Sequence, residues 1–231
     1  MQDLDTVLFA DRTDAGRALA AQVKTKVRDP DVLVLALPRG GVPVGFEVAR
    51  ALGAPLDVFL VRKLGMPGEE ELAIGAIASG GVRVLNRDLI RYLRVSASTL
   101  EEITAREQVE LERRERSYRE GRPPLEVKGR TIVLVDDGLA TGASMLAAAR
   151  ALRQRRARRI FIAVPVAARQ TCEDFRKEVD EIICVATPEP FNAVGVWYQD
   201  FSQTSDEDVR NLLEQANGQM QPTRPSYSTP A

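Results

Sequence analysis

Short, unbroken apolar runs punctuate the chain. They are Val32-Leu33-Val34-Leu35-Ala36-Leu37, Val58-Phe59-Leu60-Val61, Val82-Arg83-Val84-Leu85, Thr131-Ile132-Val133-Leu134-Val135, Ile160-Phe161-Ile162-Ala163-Val164 and Ile182-Ile183-Cys184-Val185-Ala186. Continuous rather than alternating runs of this length suit strands covered on both faces. Between the runs the apolar positions take helical spacing. Leu19, Val23 and Val27 lie four apart, and Val44, Val48, Ala49 and Leu52 follow the first run. Ala143 to Leu152 follow the fourth run, and Cys172, Phe175, Arg176 and Val179 the fifth. Alternating strands and helices predict an α/β fold, a mostly parallel sheet flanked by helices.

One stretch breaks the alternation. Residues 101–122 hold seven Glu and six Arg, and Glu102–Arg106 and Glu110–Arg114 are i, i+4 pairs of favourable order. A long helix inserted at about 87–122 is expected there, with a solvated surface role or, alternatively, a partner or subunit contact. From Asn217 to Ala231 the chain is rich in Pro, Ser, Thr and Gln, so a disordered tail is expected after a single domain over 1–216. The 231 residues are 44% hydrophobic and 28% charged, enough for a sizeable core. With Lys+Arg 32 against Asp+Glu 33, no global charge favours nucleic acid or an anionic membrane. No apolar run is long enough to span a bilayer, and acidic residues interrupt the N-terminus where a signal peptide would be apolar. A reduced, cytoplasmic setting is the expectation for two cysteines without a zinc spacing. The absence of histidine excludes a Ser-His-Asp triad, a Cys-His pair and His metal ligands.

The chemistry concentrates in Thr131–Ser144, where a buried strand ends in Asp136 and Asp137 and a loop of small residues leads into a helix. In open parallel sheets, ligands bind beyond the carboxyl ends of the strands. Gly138, Leu139, Ala140, Thr141, Gly142, Ala143 and Ser144 would offer backbone N–H groups at a helix N-terminus, an anion cradle by geometry and dipole. Thr141 and Ser144 add hydroxyls. Two carboxylates facing a phosphate would repel it, so Asp136 and Asp137 are expected to face sugar hydroxyls or a Mg²⁺ ion. No Lys follows Gly142, which excludes a Walker A loop.

Val-Leu-Val-Asp-Asp-Gly-Leu-Ala-Thr-Gly-Ala-Ser resembles the loop with which type I phosphoribosyltransferases bind phosphoribosyl pyrophosphate (PRPP). Ala140 before Thr141 is most similar to adenine-type members; hypoxanthine/guanine-type members usually carry Asp there, so the loop has no evident general base. The resemblance implies a parallel sheet flanked by helices, a small C-terminal hood, Mg²⁺ as cofactor and a homodimer. Leu37-Pro38-Arg39-Gly40-Gly41 is similar to the family's pyrophosphate loop: Gly40 and Gly41 allow close approach, and Arg39 supplies a bidentate fork. Arg62–Glu71, rich in Gly, Pro and charge, is read as a mobile loop, and the resemblance implies that it closes over the reacting centre. There Lys63 is the candidate for the pyrophosphate, and one of Glu69 to Glu71 would approach the base. In Phe191–Phe201, Trp197 or Tyr198 would stack on a base and Asp200 would assist the metal, against the alternative of a packing cluster.

These readings predict a Mg²⁺-dependent transferase that moves the phosphoribosyl group of PRPP to a nitrogen acceptor, a nucleobase, releasing pyrophosphate. Asp136, Asp137, Lys63 and Arg39 would carry the catalysis. The alternatives are a PRPP- or nucleotide-sensing regulator without chemistry, and a phosphohydrolase. The Arg153–Arg159 run is read as complementing a helix dipole rather than binding nucleic acid.

Overall fold

The computed structural model describes residues 7–218, and at Glu70 and Glu71 the backbone alone. Five strands form a parallel sheet in the order β2-β1-β6-β7-β8: β1 (Val32–Ala36), β2 (Leu56–Val58), β6 (Thr131–Val135), β7 (Arg159–Val166) and β8 (Glu181–Ala186). Every residue of β1 and β6 is buried, as the unbroken apolar runs require. Alternate side chains feed two cores, because successive residues of a strand point to opposite faces. Val32, Val34, Ala36, Val133 and Val135 meet the helices α1 (Arg12–Lys26), α2 (Gly41–Leu52) and α7 (Asp206–Gly218). Leu33, Leu35, Ile132 and Leu134 meet α5 (Ala143–Gln154) and α6 (Arg169–Phe175). The expected α/β layering is present.

Two runs go elsewhere. Val58-Phe59-Leu60-Val61 is divided: β2 ends at Val58, and Val61 opens β3 (Val61–Met66). Val82–Leu85 is β5, which joins β3 and β4 (Glu69–Ala78) in a separate antiparallel sheet. The expected mobile loop at 62–71 is therefore a hairpin, Met66 opposite Glu69 across Pro67-Gly68. Pro followed by Gly at φ +84° suits a tight turn, and Gly80-Gly81, both at positive φ, close the second hairpin. Those dipeptides are the signal that a loop reading overlooks. The half-burial of β5 shows that a short apolar run does not by itself specify a fully covered strand.

The charged segment forms α3 (Arg87–Tyr92) and α4 (Ala97–Arg119), but α4 is not a solvated surface helix. Its buried stripe runs Ile103, Glu107, Leu111, Tyr118 and Arg119, and the apolar members join Leu64, Ile74 and Ile77 of the small sheet. At its C-terminus Arg119 forks onto Asp57 of β2, Nε lying 2.9 and 3.1 Å from the two carboxylate oxygens. Arg119 Nη2 donates to the Val58 carbonyl at 3.0 Å. Glu110–Arg114 forms at 2.8 Å, whereas Arg106 turns to Glu107 instead of Glu102. The expected tail begins inside α7, where Asn217 Nδ2 donates to Leu213 O; its remainder, 219–231, lies outside the described residues. Among the described residues, no helix is long and apolar enough to cross a membrane.

Candidate active site

Parallel pairing of β1 with β6 in register, Ala36 opposite Val135, brings their C-terminal loops side by side. Gly40 and Gly41 then lie against Asp136 and Asp137. A Cβ on Gly40 would stand 1.9 Å from Asp137 Oδ2, and one on Gly41 would stand 2.9 Å from the Val135 carbonyl oxygen. No side chain fits at either position, which is the physical reason for two glycines there. The cleft above them, about 300 Å³, is lined by Pro38, Arg39, Phe59, Arg62, Asp136 and Ser144, with further walls described below.

The loop read from the sequence as an anion cradle runs from the end of β6 into the start of α5. Gly142, at φ +72°, caps α5; its missing Cβ makes room for the Phe175 ring, which such an atom would approach to 2.6 Å. Thr171 donates to the Ala140 carbonyl at 2.6 Å, so α6 props the loop from behind. The amides of Ala140, Thr141, Gly142, Ala143 and Ser144 have no hydrogen-bond partner among the described residues. Orphan donors at a helix start suit a phosphate. Leu139 is a correction: its amide donates to Val166 O at 2.9 Å and its side chain is buried, so it anchors the loop instead of lining it. Gly138 faces Val194 of the 3₁₀ turn Val194–Trp197, and a Cβ there would collide with it at 2.4 Å.

The two acids differ. Asp137 Oδ2 accepts from Arg12 Nε at 2.8 Å, and Arg12 Nη1 donates to Ser202 O at 2.7 Å. Burial pushes the Asp137 carboxyl up, and the Arg12 guanidinium opposes that shift. Asp136 accepts the Asp137 amide at 2.9 Å and has no cationic partner among the described residues. Burial, then the neighbouring Asp137, raises Asp136 well above the ordinary carboxylate range. A half-buried acid of this kind fits hydroxyl donors or a hard cation, so Mg²⁺ is compatible with the site. Among the described residues, no three acidic or thiol groups gather as a metal site, so phosphate and ribose oxygens would have to complete the ion's shell.

Three sequence expectations change. Lys63 is exposed on β3 and does not line the cleft, whereas its neighbour Arg62 does. Strand alternation sends adjacent side chains to opposite faces, so only one of the two basic residues can enter. Tyr198 is buried between Phe9 (5.5 Å) and Phe201 (5.0 Å), and its hydroxyl donates to the Asp137 carbonyl. Burial raises its pKa, so it remains a phenol that holds the acid pair rather than a ring free to stack on a base. Trp197, half-buried 6.4 Å from Phe191, belongs largely to the same packing cluster. Asp200 accepts from the Ser202 amide beside Arg12, in a different cavity from Asp136, so it does not complete a metal site.

Arg39 does enter the cleft, where Nη1 lies 3.5 Å from Asp206. Sequence reasoning missed Arg12, whose partner is 125 positions away, and the walls supplied by Arg113, Arg114, Tyr118 and Asp206. Ile103, Leu111 and Tyr118, at spacings of about two turns, were the signal that α4 packs. The Arg153–Arg159 run is partly consumed by ion pairs, Arg153 with Asp180 and Arg158 and Arg159 with Asp29.

Comparison with known proteins agrees with this architecture. Proteins from two Mycobacterium tuberculosis strains, named as candidate phosphoribosyl transferases, are 46% identical over 210 residues, 91% of this chain and 47% of theirs. The chain thus spans about half the length of the curated relatives it matches. The crystal structure of TT1426 from Thermus thermophilus is 45% identical and superposes with a TM-score of 0.80 over 90% of this chain and 98% of that one. Residues 9–200 match the phosphoribosyl transferase domain, and the chain belongs to that family.

Proposed function

We propose that the chain binds PRPP with Mg²⁺ and transfers its phosphoribosyl group to a nitrogen acceptor, a nucleobase or similar ring, releasing pyrophosphate. The observation that carries this reading is the packing of Gly40-Gly41 against Asp136-Asp137, which brings Arg39, Asp136 and Ser144 into one cleft beside an acid pair and a run of amides at 140–144 without partners among the described residues. The amides of 140–144 would take the 5′-phosphate. Asp136 and Asp137 would hold the vicinal hydroxyls, and their charge would favour positive charge developing on the sugar. Arg39 and Arg62 would neutralise the departing diphosphate. Mg²⁺, held by Asp136 and ligand oxygens, would supply further charge stabilisation.

A panel of purines, pyrimidines and amines incubated with PRPP and Mg²⁺ tests the reading, with pyrophosphate as the readout. Release that depends on one acceptor supports it. PRPP bound without release under any acceptor would leave a sensor, and orthophosphate release without acceptor a hydrolase. Asp137→Asn should lower turnover by about 100-fold or more, the usual cost of one preorganised group. Normal turnover by that variant would refute the assigned role.

A further inference from the structure

The charged helix α4 has no part in the site just proposed, yet it forms a wall of the same cleft. Arg113 and Arg114 line it together with Arg39 and Arg62, four guanidinium groups against Asp136 and Asp206. We propose that Arg113 and Arg114 are the outer half of a diphosphate clamp, closing on the ligand opposite Arg39 and Arg62. The proposal rests on the phosphoribosyltransferase reading of the cleft and adds to it two binding residues from the inserted helix.

The arginines are pre-set for this task. Glu110, which does not line the cleft, accepts from Arg113 Nε at 2.7 Å and Nη2 at 3.0 Å, and from Arg114 Nε at 2.8 Å. The bonds from Arg113 and then Arg114 hold Glu110 at a pKa of about 2, so the brace stays charged. Among the described residues, Nη1 of Arg113 and both Nη of Arg114 have no partner. Each guanidinium is thus oriented from behind and keeps donors for an anion. Arg62 is held in the same way, Nη2 2.6 Å from Glu107, itself buried on the packed face of α4. Bracing lowers the rotamer entropy lost on binding.

The helix is also fixed in register relative to the sheet. Leu111 is fully buried, and Arg119 is locked to Asp57, one residue before the end of β2. An anionic group already occupies part of the space: Asp206 accepts from the Tyr118 hydroxyl at 2.9 Å while standing 3.5 Å from Arg39. A diphosphate would meet the same donors with more charge. A simpler account of such arginines is that their i, i+3 and i, i+4 pairs merely stabilise the helix. Their place in the lining of the cleft that Arg39 and Asp136 also line is what that account leaves out.

Calorimetric titration of the full chain with inorganic pyrophosphate and, separately, with ribose 5-phosphate tests the clamp. Wild type should bind both. Arg113→Ala/Arg114→Ala should weaken pyrophosphate by about tenfold or more, as loss of charge-assisted bonds implies, and leave ribose 5-phosphate within about twofold. Arg113→Lys/Arg114→Lys, which keeps charge and fold but loses the forks, should weaken pyrophosphate by a smaller factor. Unchanged pyrophosphate affinity in the double Ala variant overturns the clamp, as does equal loss of both ligands in a variant with native circular dichroism. Wild type that binds ribose 5-phosphate but not pyrophosphate overturns the clamp alone. Pyrophosphate binding lost only in the variant, with ribose 5-phosphate ignored by wild type, keeps the clamp and removes the phosphoribosyl reading.

Discussion

At the scale of single residues, the site is built from groups that would be costly anywhere else. Asp136 is held half-buried beside another acid, and desolvation with the Asp137 charge raises its pKa well above the ordinary carboxylate range. Such a group binds more protons in the native than in the unfolded state, so stability is greatest below the unfolded pKa and declines as pH rises from there through the native pKa. Asp136→Asn should remove that decline. Urea midpoints should place the variant above wild type at pH 8, with the gap closing toward pH 4, while ribose 5-phosphate binding is lost. A variant less stable than wild type at pH 8 would contradict this account. Gly40→Ala forces a Cβ to within 1.9 Å of Asp137 Oδ2, so Arg12 and the acid must move. Overpacking of this kind costs about 1–3 kcal/mol, and we expect both that loss in denaturant titration and weakened ligand binding.

Among the elements, α4 carries the most information that its composition concealed. Its charges dominate the sequence signal, yet a stripe of one side chain per turn or two decides its place. The Arg119–Asp57 pair is buried on both sides, with side-chain exposures of 8% and 8%. Removing one partner leaves an uncompensated charge, so Arg119→Ala should cost about 3–5 kcal/mol in unfolding free energy. Replacing both, as Arg119→Met with Asp57→Leu, should recover much of that loss. If the single variant unfolds at the wild-type midpoint, the pair does not anchor the helix. The hairpin β3–β4 shows the complementary effect. Its sequence looks like a loop because Gly and Pro punctuate it, but those residues make its turn, and β5 pairs with the other edge of β4 along Gly75–Ala78.

For the whole molecule, two apolar cores on opposite faces of one sheet hold the two loops at its carboxyl edge. Because the site is assembled from both layers, ligand binding should stabilise the fold as a unit. Ribose 5-phosphate at about a hundred times its Kd should add about 2.7 kcal/mol, a rise of about 5–10 °C in Tm for a chain of this size. A calorimetric scan without any rise would argue against a site formed in the native state. The alternation of strands and helices around the parallel sheet, the acid pair at the end of β6 and the glycines after β1 were all determined by the sequence itself. Each depends on periodicity, backbone sterics or adjacent residues, and these are local properties. The tertiary structure alone decided that Arg62 rather than Lys63 faces the cleft, that Arg12 reaches Asp137, that Tyr198 is a support and that α4 forms a wall. Those outcomes turn on which face of an element meets a partner far away in the chain, and side-chain direction across such distances is set by packing.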